Sequence, residues 1–298
     1  MVQFYTLDVF TNKIFSGNQL AVFPSALGLS TQEMQKIAIE FNFSETVFVL
    51  PPSKNDADFR LRIFTPGGEI PFAGHPTIGT AFLLAKIGKV DLNNTEINLI
   101  FEEQVGYVPV TIRTKDNVPI YAELTAPSSP HFYPDSPPLK DLAQVLSLDE
   151  GALTVKDFSP QGVSCGLPFL LIPLDNLSSL ANAKINLSAW ERVLKDFWAP
   201  HLYPFVKIGV DSYQVRMFAP GLNIIEDPAT GSAATAFAGY LAKHKAENDG
   251  RWGWQIFQGV EMGRPSRISA IAHKQDNMIS TIKVGGESVI VTQGELNL

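Results

Sequence analysis

The chain has 298 residues, 45% of them hydrophobic and 18% charged, which supplies ordinary cores for one large domain or two of moderate size and excludes disorder. Its net charge is −7 and its pI about 5.3, and it carries no Lys/Arg-rich run. Such a surface repels phosphate backbones, so nucleic acid is excluded as an expected partner.

The opening residues MVQFYTLDVF have neither the basic start nor the long apolar run of a signal peptide. No apolar stretch reaches the roughly 18 residues that span a bilayer. The expected location is therefore the cytoplasm, with no membrane partner. From Ser16, SGNQLAVFP reads as a small-residue turn running into an apolar strand. Ser30 followed by Glu33 makes a capping box, in which the Ser side chain takes a backbone N–H and the Glu reaches back to the cap's own N–H. Met34, Ile37, Ala38 and Phe41 then fall on one helical face. In NFSETVFVL (42–50), Glu45 stands where this helix gives way to a strand. On pattern alone it reads as a solvated residue, although element ends are where sites collect. FRLRIFTPG (59–67) alternates as a half-buried strand ending in a turn. HPTIGTA (75–81) then predicts a helix beginning at Pro76, since proline suits the first helical position. His75 would lie at or beside its N-cap. The helix, PTIGTAFLLAKIG, is apolar nearly all round and so is expected to be enclosed by the protein.

TAPSSPHFYPDSPP (125–138) is rich in Pro and Ser and reads as a linker. It divides the chain into residues 1–126 and 127–285, with a last strand, ESVIVT within 286–298, returning to complete the first domain. Beyond the linker the same landmarks recur in the same order. SCGLPFLLIP from Ser164 contains the only cysteine, Cys165, which excludes an internal disulfide and a Cys-based zinc site and reads as a buried core residue. Ser188 with Glu191 repeats the capping box, and Trp190, Val193, Leu194 and Phe197 repeat the helical face. YQVRMFAPG (213–221) matches the earlier strand, Arg216 for Arg62 and Phe218 for Phe64. DPATGSA (227–233) matches HPTIGTA and predicts a helix from Pro228 with Asp227 as its cap. Trp252 and Trp254, in RWGWQIF, are expected to be partly exposed on a strand. Four landmarks in one order indicate an internal duplication. Gly79 and Gly231 would each cost roughly 1 kcal/mol inside a helix. That cost at matched places predicts a close approach by a ligand, and a helix N-terminus favours an anion.

The blocks DVFTNKIFSGNQLAVF, FNFSETVFVLP, RIFTPGGEIPFAGHPTIGTA, MFAPGLNIIEDPATGSAATAFAGYL and QGVEMGRPSRI resemble the PhzF-like (phenazine biosynthesis) family, of the diaminopimelate epimerase fold superfamily. The resemblance implies an α+β fold of two pseudo-symmetric domains. In each, a curved, mostly antiparallel sheet or barrel wraps a central helix, and the active site lies in the interdomain cleft. It implies Glu45 as general acid/base, faced by His75 and Asp227, with Ser44, Gly74, Gly231, Ser232 and Asn18 holding the substrate. One departure is Gln19, where the family usually has proline. The chemistry this suggests is an isomerase shifting a proton within a small carboxylated metabolite. No cofactor or metal is expected: no nucleotide motif is present, and the five histidines show no metal spacing. Two other readings stand beside it. One is a racemase or epimerase using His75 and Asp227 as two bases, since a two-thiol mechanism is excluded by composition. The other is a metabolite-binding protein without chemistry. A homodimer is compatible with the family.

Overall fold

The structure is a computed structural model describing residues 1–298. The chain divides into two compact units, Met1–Pro127 with Lys283–Leu298, and Ser128–Ile282.

The first unit begins with strands β1 (Val2–Val9) and β2 (Asn18–Phe23), helix α1 (Thr31–Phe41), and strands β3 (Glu45–Leu50), β4 (Phe59–Thr65) and β5 (Gly68–Ile70). Helix α2 (Gly74–Lys86) and strands β6 (Glu96–Glu103), β7 (Gly106–Lys115) and β8 (Val118–Thr125) follow. The second unit holds β9 (His131–Phe132), α3 (Leu139–Leu146), β10 (Gln161–Ser164), β11 (Pro168–Pro173), α4 (Leu177–Asn182) and α5 (Leu187–Val193). It continues with β12 (His201–Gly209), β13 (Ser212–Val215), α6 (Gly231–Lys243), β14 (Gly250–Gln258) and β15 (Ser266–Gln275). Strand β16 (Met278–Gly286) starts in the second unit and ends in the first, where Lys283–Gly286 pairs with β8. The last strand, β17 (Ser288–Leu296), lies antiparallel to β1.

The duplication read from the sequence is written into the strand pairings. In the first unit β1–β2 is antiparallel, β2–β3 parallel, β3–β4 antiparallel, β4–β6 parallel and β6–β7 antiparallel. The second unit repeats that series through β10–β11, β11–β12, β12–β13, β13–β14 and β14–β15. In each unit the strands curve around one helix. Every residue of α2 from Gly74 to Ala85 is buried, and α6 buries nearly all of its own. This is what an all-round apolar sequence requires, because no face of such a helix gains from water. The other helices cover the outer sheet faces. On α1, Met34, Ile37 and Ala38 pack with Phe23, Phe48 and Phe64. On α3 and α5, Leu142, Leu146, Ala189 and Trp190 pack with Leu170, Leu202 and Phe218.

Local expectations fared unevenly. The capping box of Ser30 and Glu33 is complete. In the second half, however, the cap is Asn186, whose side chain accepts from the Ala189 N–H, and Ser188 lies inside the helix. Asn is as good a cap as Ser, so the match two residues later was not needed. Strand β13 ends at Val215, and Arg216 through Ala219 are all buried, so the expected alternation stops there. Trp254 is fully buried on β14 and only Trp252 is half-exposed.

Helix α2 starts at Gly74 with Ala73 as its cap, and α6 at Gly231 with Thr230 as its cap. Gly231 is thus the first helical residue and carries no interior penalty. Gly79 is interior, but its neighbours explain it: a Cβ there would come within 2.6 Å of Val9 Cγ2 and Leu20 Cδ2. The glycine lets α2 lie directly on β1 and β2, and the close approach is made by protein.

Candidate functional site

In the first unit the β1–β2 turn sets the site. Gly17 adopts φ +68°, and a Cβ on it would collide with the Val9 carbonyl oxygen, so only glycine fits. The next residue, Asn18, is buried, with its Nδ2 3.4 Å from His75 Nδ1. The Gln19 backbone also hydrogen-bonds His75, so the residue standing in place of the family's proline contributes through its main chain. Parallel pairing of β2 with β3 puts Glu45 opposite Leu20. Its carboxylate Oε2 then lies 3.4 Å from His75 Nε2, with the Glu45 side chain only 14% exposed. Burial lowers the His75 pKa from its ordinary value to about 3, with the Gln19 bond acting in the opposite direction. The imidazole is therefore neutral at physiological pH. It forms no true ion pair with Glu45; instead the two groups face each other with room for a single shared proton. The spacing is at the long end of the hydrogen-bond range. Ser44, half-buried, and Gly74, buried at the start of α2, flank the two groups in sequence.

The first unit also contains a group the sequence reading missed. Glu103 continues the inward-facing series Leu99, Phe101 on β6 and accepts a 2.7 Å hydrogen bond from Thr77 on the first turn of α2. Burial pushes its carboxyl up to about 8, so it holds its proton at neutral pH. The Leu99–Phe101–Glu103 alternation was the available signal: a Glu stands where an apolar residue belongs.

In the second unit Asp227 is buried, but three residues before the cap of α6 rather than in it. Its N–H donates to the Met217 carbonyl at 3.1 Å, and its Oδ2 accepts from the Thr230 hydroxyl. Gln258, fully buried at the end of β14, holds the turn: its Nε2 donates to the Asp227 carbonyl at 2.7 Å and to Thr230 Oγ1 at 2.9 Å. Its Oε1 accepts from the Thr230 N–H at 3.2 Å and from Tyr203 Oη at 3.4 Å. Ser266 Oγ donates to the Pro228 carbonyl at 2.8 Å. Burial first, and the Asp227 charge second, drive the Tyr203 phenol pKa upward, so it stays protonated. Gln258 too was missed, and it too breaks an inward apolar alternation, Trp254, Ile256, Gln258. Gly231 and half-buried Ser232 open α6 directly after this turn.

Cys165 is buried, and burial raises its thiol to about 12. It is an unreactive core residue, as its sequence context suggested. No group of three or more His, Cys, Asp or Glu side chains is placed to hold a metal ion. No helix is long and apolar enough to cross a membrane. A hollow of about 460 Å³ opens in the second unit beside Pro130, Phe132, Lys243 and Lys274. It lies toward the C-terminal end of α6, away from Asp227, and contains none of the candidate residues.

Comparison with known proteins gives this geometry a context. The model of a family described as phenazine biosynthesis-like protein matches residues 7–294. An uncharacterized isomerase of Mesorhizobium japonicum is 37% identical over 97% of this chain and 96% of its own. The trans-2,3-dihydro-3-hydroxyanthranilate isomerase of Pseudomonas aeruginosa is 33% identical over the full length of both chains. Among solved structures, a phenazine biosynthesis protein of the PhzF family from Bacillus anthracis superposes with a TM-score of 0.89 at 28% identity, covering 100% of this chain and 99% of that one.

Proposed function

We propose, for a chain that belongs to the phenazine biosynthesis-like protein family and is an isomerase, that it moves a proton within a small carboxylated metabolite, with Glu45 as the group that takes the proton from carbon and returns it elsewhere on the same molecule. The observation that carries this reading is the Glu45–His75 pair, 3.4 Å apart, with the imidazole kept neutral by burial. A neutral imidazole beside a carboxylate does not lock it in an ion pair. Glu45 stays able to accept and release a proton while His75 orients it or hydrogen-bonds developing charge on the substrate.

Ser44, Gly74 and Asn18, with Gly231 and Ser232, are assigned to substrate binding, and Asp227 to orienting the same substrate. No cofactor or metal enters this scheme, because conjugation in the substrate can make its C–H acidic enough. The two-base alternative fits less well. An imidazole with a conjugate acid near pKa 3 is a weak proton acceptor, so His75 is poorly suited to deprotonate carbon. The isomerase names of the Mesorhizobium japonicum and Pseudomonas aeruginosa relatives support chemistry over binding alone.

The first compound to test is trans-2,3-dihydro-3-hydroxyanthranilate, after the name of the Pseudomonas aeruginosa relative. If the chain turns it over, Glu45→Gln should lower kcat by roughly 10²–10⁴-fold with little change in melting temperature. Wild-type turnover by that variant would remove Glu45 from the mechanism. If that compound is inert, the same comparison applies to whichever carboxylated substrate a panel identifies.

A further inference from the structure

Strand register identifies a counterpart of Glu45 in the second unit, at the equivalent position of the repeat, that sequence alignment does not. In the first unit Glu45 opens β3 opposite Leu20 of β2, and the next residue, Thr46, lies opposite Phe64. In the second unit His201 opens β12 opposite Phe169 of β11, and the next residue, Leu202, bridges to Phe218. Leu20 and Phe169 each stand four residues before the proline that closes the matched SGNQLAVFP and SCGLPFLLIP blocks. Phe64 and Phe218 are matched by the RIF/RMF repeat. Two independent pairings therefore place His201 where the first unit has Glu45.

The side-chain faces agree. Thr46 and Leu202 point away from the central helices, and Leu202 packs with Trp190 of α5. Glu45 meets His75 of α2. Tyr203, on the same strand face as His201, packs its ring on Phe237 of α6 at 5.7 Å. His201 is 95% buried, with its ring against Phe169 at 5.9 Å, and its Nδ1 has no hydrogen-bonding partner. A buried ring nitrogen left without a partner costs free energy that a purely structural residue would not retain.

We propose that His201 is a substrate-binding residue whose Nδ1 hydrogen-bonds an oxygen of the carboxylated substrate, so that each unit presents one imidazole and one carboxylate in exchanged positions. Glu45 on β3 with His75 on α2 corresponds to His201 on β12 with Asp227 before α6. Burial keeps His201 neutral at physiological pH, its pKa lowered to about 4. Neutral, it donates one N–H and does not compete with Glu45 as a base. This inference rests on the reading of Glu45 as the acid/base.

The test is steady-state kinetics of the full chain on trans-2,3-dihydro-3-hydroxyanthranilate, or on the carboxylated compound that the panel identifies, with Glu45→Gln, His201→Phe and His201→Asn compared. Phe keeps the ring packing and removes the donor, and Asn keeps an N–H near the Nδ1 place. The expected result is that His201→Phe raises KM about ten- to a hundredfold, the worth of one hydrogen bond to a charged group. Its kcat should change much less and its melting temperature little, and His201→Asn should restore KM toward wild type. If KM is unmoved in His201→Phe while Glu45→Gln is inactive, the inference fails alone. If Glu45→Gln is fully active, the underlying reading fails. A KM that rises equally in the Phe and Asn variants, with lost thermal stability in both, would mark His201 as a packing residue and overturn the proposal.

Discussion

The two units share one order of strand pairing and differ in how they hold their charged groups. In each, an arginine two residues before a phenylalanine stacks on that ring, Arg62 on Phe64 and Arg216 on Phe218. Each arginine forms a bidentate pair with a glutamate further along, Arg62 with Glu69 and Arg216 with Glu226. The first pair is partly exposed. In the second, Arg216 is buried and Glu226 half-buried, and Arg216 Nη1 also donates to the carbonyls of Leu180, Ala181 and Ala183. In both halves the arginine thus reaches a helix, through one exposed hydroxyl in the first, where Arg62 Nη1 donates to Thr31 Oγ1 on α1 at 3.0 Å, and through three main-chain carbonyls at the end of α4 in the second. The roles proposed for Glu45 with His75 and for His201 with Asp227 are a divergence of the same kind at matched places of the repeat.

This comparison can be broken by measurement. The largest expected stability effect is at the buried arginine. Arg216→Met strands the Glu226 carboxylate and three carbonyls and should destabilise by about 3–5 kcal/mol in chemical unfolding, whereas Arg62→Met should cost about 1 kcal/mol. Equal losses would mean that the two pairs are equivalent.

Acid comes next. His75 and His201 have folded pKa values of about 3 and about 4, below the ordinary 6.5. Between those limits the unfolded chain binds protons that the folded one does not, so stability is full above pH 6.5 and falls as pH drops through the window. At pH 5 each imidazole should cost about 2 kcal/mol, and His201→Phe should remove its share. Glu103 acts in the opposite sense: its raised pKa, about 8, makes stability fall as pH rises from the ordinary carboxylate range to about 8, and Glu103→Gln should flatten that slope. An unchanged pH profile in either variant would contradict the burial argument.

A smaller effect is expected at Gly79. A methyl there must displace Val9 and Leu20, so Gly79→Ala should destabilise by about 1–3 kcal/mol despite alanine's better helix propensity. The smallest comparison is between the caps. Ser30→Ala and Asn186→Ala should each cost about 1 kcal/mol, and Ser188→Ala almost nothing. A loss at Ser188 equal to that at Asn186 would revive the sequence-based cap.

Much of this was legible in the chain itself. The landmarks from SGNQLAVFP to DPATGSA marked the duplication, and the all-round apolar run after His75 marked the enclosed helix, because both depend on patterns over neighbouring residues. The helix starts were misread because the turn before α6 is closed by Gln258 and Ser266, which lie 31 and 38 residues beyond their partners Asp227 and Pro228. Local capping rules cannot register such distant donors. Glu103 and Gln258 were detectable as polar breaks in inward alternations, but the alternation alone does not say which side faces the core. His201 was invisible for a different reason: WAPHLYPFV and NFSETVFVL share no motif, and only the hydrogen-bond register of two strands puts them in one place.

The most direct test of the central claim is deuterium uptake into recovered substrate during turnover in D2O, compared between the wild type, Glu45→Gln and Asp227→Asn. If Glu45 alone handles the proton on carbon, exchange disappears in Glu45→Gln and persists, at reduced rate, in Asp227→Asn. Exchange that survives in Glu45→Gln and vanishes in Asp227→Asn would contradict the assignment and move the base to the second unit.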